Sequence, residues 1–346
     1  MFRAPDPWLS WIERCPPKAE VVSSNLAGSA NKARSRPRML REHMNALLRY
    51  VLKDRTDRQY QDFGYKVLRG VLPKDRIDAL AEIVRDVVVP HQGALLRQDG
   101  GMAPHDFFFP GTTLIRNPLA NAHLPISQPM EPLESALTAV VTSSELAEAL
   151  RKLDGANHYS IHQTLLFFAA QTTDLHVDSW GLDTAPHGFA HTLWIPLQDM
   201  TPDSGLPSVI PWPRGKVVTE ADLGLPSSGS HGDRYERYHR ALSARLMSDS
   251  PEVTTAVVRR GDLIVWTSLT PHFTLPARHF PCERLSLQVL LRPTDARWGN
   301  FIVQPPDHPT NRHIRKTERF SYFVYETISH DFRIAGSLPT PAGPYD

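Results

Sequence analysis

The sequence predicts a mainly β protein with flanking helices, an all-β core preceded by a helical half. Three observations carry this. After Gly155 come "HYSIHQTLLFFAA", "HTLWIPLQDM", "SVIPW", "TTAVVRRGDLIVWTSL" and "RLSLQVLLRP", short segments rich in β-branched and aromatic residues and bounded by Gly, Pro and Asp. Before Gly155 the apolar residues recur at helical spacing instead. Proline, at 31 of 346 residues, favours many short elements and loops over a few long ones.

Each element follows in order. "SWIERCPPKAEVVSSNLAGSANKARSRPR" has no sustained period of either kind and no apolar core of a secretory signal. Its "VVSSNLAGSA" resembles the translated 3′ half of a tRNA gene, so residues 1–38 are expected to be a non-native or disordered extension, with Met39 or Met44 as the start. "MLREHMNALLRYVLKD" predicts a short helix. "GYKVLRGVLPKDRIDALAEIVRDVVVP" predicts strand, turn and helix, with Pro73 near the helix start and Pro90 closing it. Residues 91–130 show no clear period. "MEPLESALTAVVTSSELAEALRKLDG" predicts one or two helices ending near Gly155. Between the strand segments, residues 213–250 hold a Gly/Ser-rich loop and the helix "RYERYHRALSARLM". That helix reads as solvated with one buried stripe, though its place between the candidate ligands also permits a lid. The proline-rich tail after Pro293 is expected to wrap the core.

The totals bound the function. The length fits one large domain with additions, or two domains. A net charge of +1 gives no broad electrostatic footprint for nucleic acid. No apolar run is long enough to span a bilayer. The two cysteines, Cys15 and Cys282, make no disulfide framework and fit a reducing cytoplasm.

The chemistry concentrates in "TTDLHVDSWG", residues 172–181. On a strand, His176 and Asp178 would face the same side. An imidazole and a carboxylate are two parts of the 2-His-1-carboxylate triad, which leaves positions open on Fe(II) for a co-substrate and oxygen. His272, after the strand-like "RRGDLIVWTSLTP", is the candidate third ligand; His187 and His191 are its rivals. Thr274 shares the face of His272 if the chain stays extended. In "RLSLQVLL", Arg284, Ser286 and Gln288 alternate with Leu285, Leu287 and Val289, so the polar set shares one face. An arginine pointing into a barrel needs an anion, and its planar fork suits a carboxylate. A dicarboxylate co-substrate would supply one, unless Arg284 pairs with Glu283 outside. Arg214 and Lys216 read as surface charges.

These motifs together resemble the phytanoyl-CoA dioxygenase family of Fe(II)/2-oxoglutarate oxygenases. The resemblance runs from about Tyr60 to Pro293, through "GYKVLRGVLPKDRIDALAEIV", "HVDSW", "HTLWIPLQDMTPDSGLPSVIPW", "RRGDLIVWTSLTPHFTLP" and "RLSLQVLLRP" in that order. It implies a double-stranded β-helix, a cupin-like jelly roll, over 39–293, with 294–346 packing on it. It implies His176, Asp178 and His272 as iron ligands. Arg284 would hold the distal carboxylate of 2-oxoglutarate, with Thr274 beside it, and Trp194 and Gln163 would line the same pocket. Read without the resemblance, Trp194 is a core aromatic and Gln163 a plain strand residue. Two departures fall near the substrate: "PWPRG" where the family often has "PGSH", and "FFAAQTTD" where it often has a Lys and Pro-Gly. Asp178 is present, as a hydroxylase requires and the related halogenases lack. The implied reaction hydroxylates a small organic metabolite with O2, releasing succinate and CO2. A non-oxygenase jelly-roll metal enzyme would have no use for the Arg284/Thr274 clamp. A silent binding protein would have no need of all three ligands.

Overall fold

A computed structural model describes residues 57–91, 95–96, 102–103, 108–120, 130–180, 183–299 and 314–323. The N-terminal extension, the helix expected over 39–54 and the closing "GSLPTPAGPYD" lie outside them.

The described chain opens with a helix absent from the sequence reading, α1 (Arg58–Phe63). The Asp57 carboxylate caps it by accepting from Tyr60 N at 3.0 Å. Gly64 ends it at φ +68°, where a Cβ would lie 2.2 Å from the Trp212 carbonyl oxygen. Only glycine fits that turn. The expected strand, turn and helix follow as β1 (Tyr65–Leu68) and α2 (Lys74–Ile83), which one π-helical turn (Val84–Val88) extends toward Pro90. The short strands β2 (Leu95–Leu96), β3 (Met102–Ala103) and β4 (Leu119–Ala120) precede the next helical region. That region is two helices, α3 (Glu131–Val141) and α4 (Ser144–Asp154). The break has a local cause. Thr142 Oγ1 donates back to the Thr138 carbonyl at 2.8 Å, and the Ser143 hydroxyl accepts from Leu146 N at 3.3 Å to start α4. Gly155, in the left-handed region, closes it.

The strands that follow are β5 (Tyr159–Ala169), β6 (Thr173–His176), β7 (Asp183–Ala185), β8 (His191–Pro196) and β9 (Pro207–Val209). Helix α5 (His231–Ser248) intervenes. Then come β10 (Thr254–Thr255), β11 (Leu263–Thr267), β12 (His272–Thr274), β13 (Glu283–Pro293), β14 (Arg297–Gly299), β15 (Ile314–Lys316) and β16 (Phe320–Phe323). The larger sheet runs β1-β11-β8-β13-β5-β16-β15, with β4 also pairing β5; the smaller runs β10-β9-β12-β6. All these pairs are antiparallel except β16 with β5. Strand β14 pairs β7.

Pleat alternation sorts the side chains into layers. Leu193, Ile195, Val265, Leu285, Leu287 and Val289 leave the larger sheet on one side and join Ile77, Leu80, Leu137 and Leu150 of the helices in one core. Trp194, Ile264 and Trp266 leave it on the other and meet Leu206 and Val209 between the sheets. Outside the smaller sheet, Tyr235, Tyr238, Leu242 and Leu246 of α5 cover Leu175, Val177 and Trp180. Each such leucine contributes about 1.5–3 kcal/mol on burial. The helix between the candidate ligands is therefore a packed element with one buried stripe. Two facing antiparallel sheets with helices outside make a double-stranded β-helix, as expected.

Candidate metal centre

The residue at the end of β6 and the residue at the start of β12 are the two candidate histidines. His176 and His272 are direct cross-strand partners, with ring centroids 4.2 Å apart. Asp178 departs from expectation. It does not share the strand with His176; it opens a 3₁₀ turn, Asp178–Trp180. The ladder stops at the histidine pair, and the Ser179 N–H donates to the Ser268 carbonyl at 2.9 Å. The turn, not the pleat, brings the carboxylate round. Asp178 Oδ1 ends 3.9 Å from His176 Nε2 and 3.7 Å from His272 Nε2. One atom from each of the three lies within 4.8 Å of the others, and among the described residues no other such group occurs.

The hydrogen bonds orient both rings. His176 Nδ1 faces the Asp174 carbonyl at 2.8 Å and His272 Nδ1 the Thr270 carbonyl at 3.0 Å. A carbonyl only accepts, so each Nδ1 carries a proton, and each ring turns its Nε2 toward Asp178. Burial, then the neighbouring His176, hold His272 down to about 4, which keeps the ring neutral. Asp178 Oδ2 accepts from Thr192 Oγ1 at 2.6 Å and Trp266 Nε1 at 3.3 Å. Asp178 Oδ1 is buried without any partner. A carboxylate oxygen left so is costly unless a cation completes it.

A second incomplete group lies on β13. Arg284 is 2 % exposed and donates from one terminal nitrogen to the Gly205 carbonyl. Its Nε has no partner, nor has the buried Ser286 Oγ two residues on. The guanidinium lies 5.8 Å from the Phe167 ring and 6.0 Å from that of Trp194. Burial lowers it to about 10, so it stays charged at neutral pH. The exterior alternative does not hold: Glu283 pairs with Arg85 at 3.2 Å instead.

Strand register places the remaining candidates. Trp266, Thr192, Leu290 and Gln163 form one cross-strand row over β11, β8, β13 and β5. Ile264, Trp194, Gln288 and Leu165 form the next. Trp194 is thus a buried wall beside Arg284, and Gln163 lies on the row that holds Asp178, two strands beyond Thr192. Thr274 is half-buried on β12, opposite Pro207 and Thr173. Among the described residues no hydrogen bond joins it to Arg284.

The rival histidines belong elsewhere. His187 Nδ1 pairs with Asp183 Oδ2 at 2.8 Å. His191 is held at both nitrogens, by Asp154 Oδ2 at 2.7 Å and the Tyr60 hydroxyl at 2.6 Å. Arg214 is also not a plain surface charge. It lies 4.1 Å over the Phe189 ring and donates from Nε to the Gly188 carbonyl at 2.9 Å. Three residues of the site, Ser286, Thr192 and Trp266, were not among the sequence candidates. Only Ser286 left a signal, its alternation with Arg284 and Gln288.

Comparison with known proteins follows the same line. No curated protein sequence matches. Among solved structures, the epimerase SnoN in complex with Fe3+, alpha ketoglutarate and nogalamycin RO is 16 % identical, covering 71 % of this chain and 85 % of its own, at TM-score 0.47. EctD from S. alaskensis with bound Fe is 19 % identical, covering 72 % and 83 %, at TM-score 0.47. The carbocyclase SnoK from nogalamycin biosynthesis is 18 % identical, covering 71 % and 86 %, at TM-score 0.46. The family model for phytanoyl-CoA dioxygenase (PhyH) matches residues 60–278, which includes both histidines and Asp178 and ends before Arg284. That match spans more than half of the sequence, and the chain belongs to the phytanoyl-CoA dioxygenase family.

Proposed function

We propose that this chain is an Fe(II)- and 2-oxoglutarate-dependent dioxygenase that hydroxylates a small organic molecule in the cytoplasm. The observation that carries the reading is the Asp178 Oδ1 without a hydrogen bond, between the Nε2 atoms of His176 and His272. Two imidazoles and one carboxylate oxygen fit Fe(II) and leave positions open on it. Bound iron with 2-oxoglutarate and O2 would supply an oxidant able to cleave a C–H bond, with release of succinate and CO2.

The chain's own residues do the rest. His176, Asp178 and His272 hold the ion. The Arg284 guanidinium holds the distal carboxylate of 2-oxoglutarate through charge-assisted bonds, and its unpartnered Nε supports that role. Ser286 Oγ offers a neutral donor on the same strand face, and Thr274 a second from β12. Trp194 walls the co-substrate and, with Phe167 and Trp266, keeps water from the centre. Gln163 offers an amide on the Thr192 row. No helix of the described residues is long and apolar enough to cross a membrane.

The test adds Fe(II), then 2-oxoglutarate, without oxygen and reads the charge-transfer absorption of the pair. Oxygen and a metabolite panel follow, reading succinate and a mass gain of one oxygen. The expected result is a saturable band and succinate matched to hydroxylated product. Iron bound at this site with neither band nor succinate would overturn the reading.

A further inference from the structure

We infer that Thr192 and Trp266 are positioning residues that lock Asp178 into ligation through one oxygen, an inference that rests on the metal-centre reading above. The side chain of Asp178 is 1 % exposed, so bulk solvent does not reach it. Oδ2 receives two donors, Thr192 Oγ1 at 2.6 Å and Trp266 Nε1 at 3.3 Å, and Oδ1 receives none. The asymmetry is built by the sheets. Thr192 and Trp266 are direct partners in the β8–β11 ladder, as His176 and His272 are in the β6–β12 ladder. Two cross-strand pairs from opposing sheets thus face each other with Asp178 between them. One pair turns its Nε2 atoms toward Oδ1; the other holds Oδ2 away.

Neither donor can easily retreat. Thr192 is paired on both sides, with Trp266 of β11 and Leu290 of β13, and lies next to His191, whose ring is fixed at both nitrogens. Trp266 packs its ring 4.8 Å from that of His272, so it bears on two of the three ligands at once. With both donors in place, the carboxylate plane is fixed and Oδ2 is not available to a cation. Without them the carboxylate can rotate, and both oxygens can reach the ion. Outer partners of this kind set the affinity and geometry of a site.

Co(II) is the probe, titrated into the metal-free full chain and followed by its visible ligand-field absorption. Thr192→Val should weaken Co(II) binding by about 10–100-fold and change the spectrum, because the freed Oδ2 alters the ligand set. Thr192→Ser keeps the donor and should restore both. Trp266→Phe keeps the ring, loses the longer bond and should weaken binding by about 3–10-fold. A structural role alone would lower the thermal midpoint and leave affinity and spectrum as in the wild type. That outcome, in Thr192→Val or in a folded Trp266→Phe, overturns the inference. A wild-type chain that takes up neither Co(II) nor Fe(II) would sink the metal-centre reading, and this inference with it. Metal uptake in the wild type that Thr192→Val leaves unchanged would sink only the inference.

Discussion

His191 and Thr192 are chain neighbours on β8 that point to opposite faces and serve two buried carboxylates. His191 serves Asp154 on the helix side; Thr192 serves Asp178 between the sheets. The residue types are alike, but the hydrogen bonding is not. Asp154 Oδ1 accepts from the Tyr159 hydroxyl at 2.6 Å and Ala156 N at 2.8 Å, and Oδ2 from His191. Tyr60 completes the far side of the His191 ring. Burial pushes the Asp154 carboxyl up, but the His191 hydrogen bond and charge, with Arg214 and Tyr159, more than offset this and hold it below the usual carboxylate range. Every site there is filled. Around Asp178 one carboxylate oxygen, Oδ1, is left without a hydrogen bond. A closed network fixes a fold; an open one is where a ligand can enter.

The difference can be broken most sharply by exchanging the two histidines' fates. His272→Ala should remove metal and turnover, an effect well beyond the roughly 10–100-fold cost of losing an outer partner. Metal content by mass spectrometry and succinate output check it. His191→Ala should keep one metal per chain but lose roughly 3 kcal/mol of stability, since the buried Asp154 loses its charge-assisted bond. Denaturant midpoints check that half. Retention of metal in His272→Ala with loss in His191→Ala would reverse the comparison.

Arg284 sharpens it next. Arg284→Ala should raise the 2-oxoglutarate midpoint by about 10–100-fold, each power of ten being about 1.4 kcal/mol. Arg284→Lys should recover part of this, because a point charge lacks the planar fork. Anaerobic titration of the charge-transfer band reads both. An unchanged midpoint would place the carboxylate clamp elsewhere.

A third buried histidine tests the structural side through pH. His239 of α5 meets His176 edge-on, with ring centroids 6.4 Å apart, and burial, then His176, lower it to about 3 from the ordinary 6.5. Its folded form resists protonation, so unfolding takes up a proton. Its contribution to stability is complete above about pH 6.5 and is lost as pH falls toward 3. In the metal-free chain, stability should therefore decline through this window at a slope that His239→Gln reduces by one proton. Equal slopes for the two would mean that His239 is protonated in the fold. The smallest effect expected is that of Thr274→Val, about 3-fold or less on 2-oxoglutarate binding, since one neutral donor is lost and the shape kept.

Much of this was legible in sequence because it is local. Alternation in "RLSLQVLL" sends Arg284 inward, and the strand segments follow from composition and bounding turns. The identities of His176, Asp178 and His272 came from residue type and order. How Asp178 reaches the site did not, because strand spacing gives no warning that the ladder ends at His176, two residues before it. Nor did its partners. Thr192 lies 14 residues and Trp266 88 residues along the chain from Asp178, and nothing about a threonine or a tryptophan in a strand announces a carboxylate partner. Helix α1 was missed for a related reason: six residues are too few to show a period.

The pairing of His176 with His272 has a consequence for how the chain finds its fold. A slip of one residue between β6 and β12 would turn His272 to the outer side and bring Phe273 in. The ion can then meet only one histidine, and binding is lost. Metal capture thus proofreads strand register. At a free metal concentration 100 times the dissociation constant, the correct pairing gains about 2.7 kcal/mol that a slipped one does not. A metal held by this pair would also report that the sheet around it had been assembled in the right order.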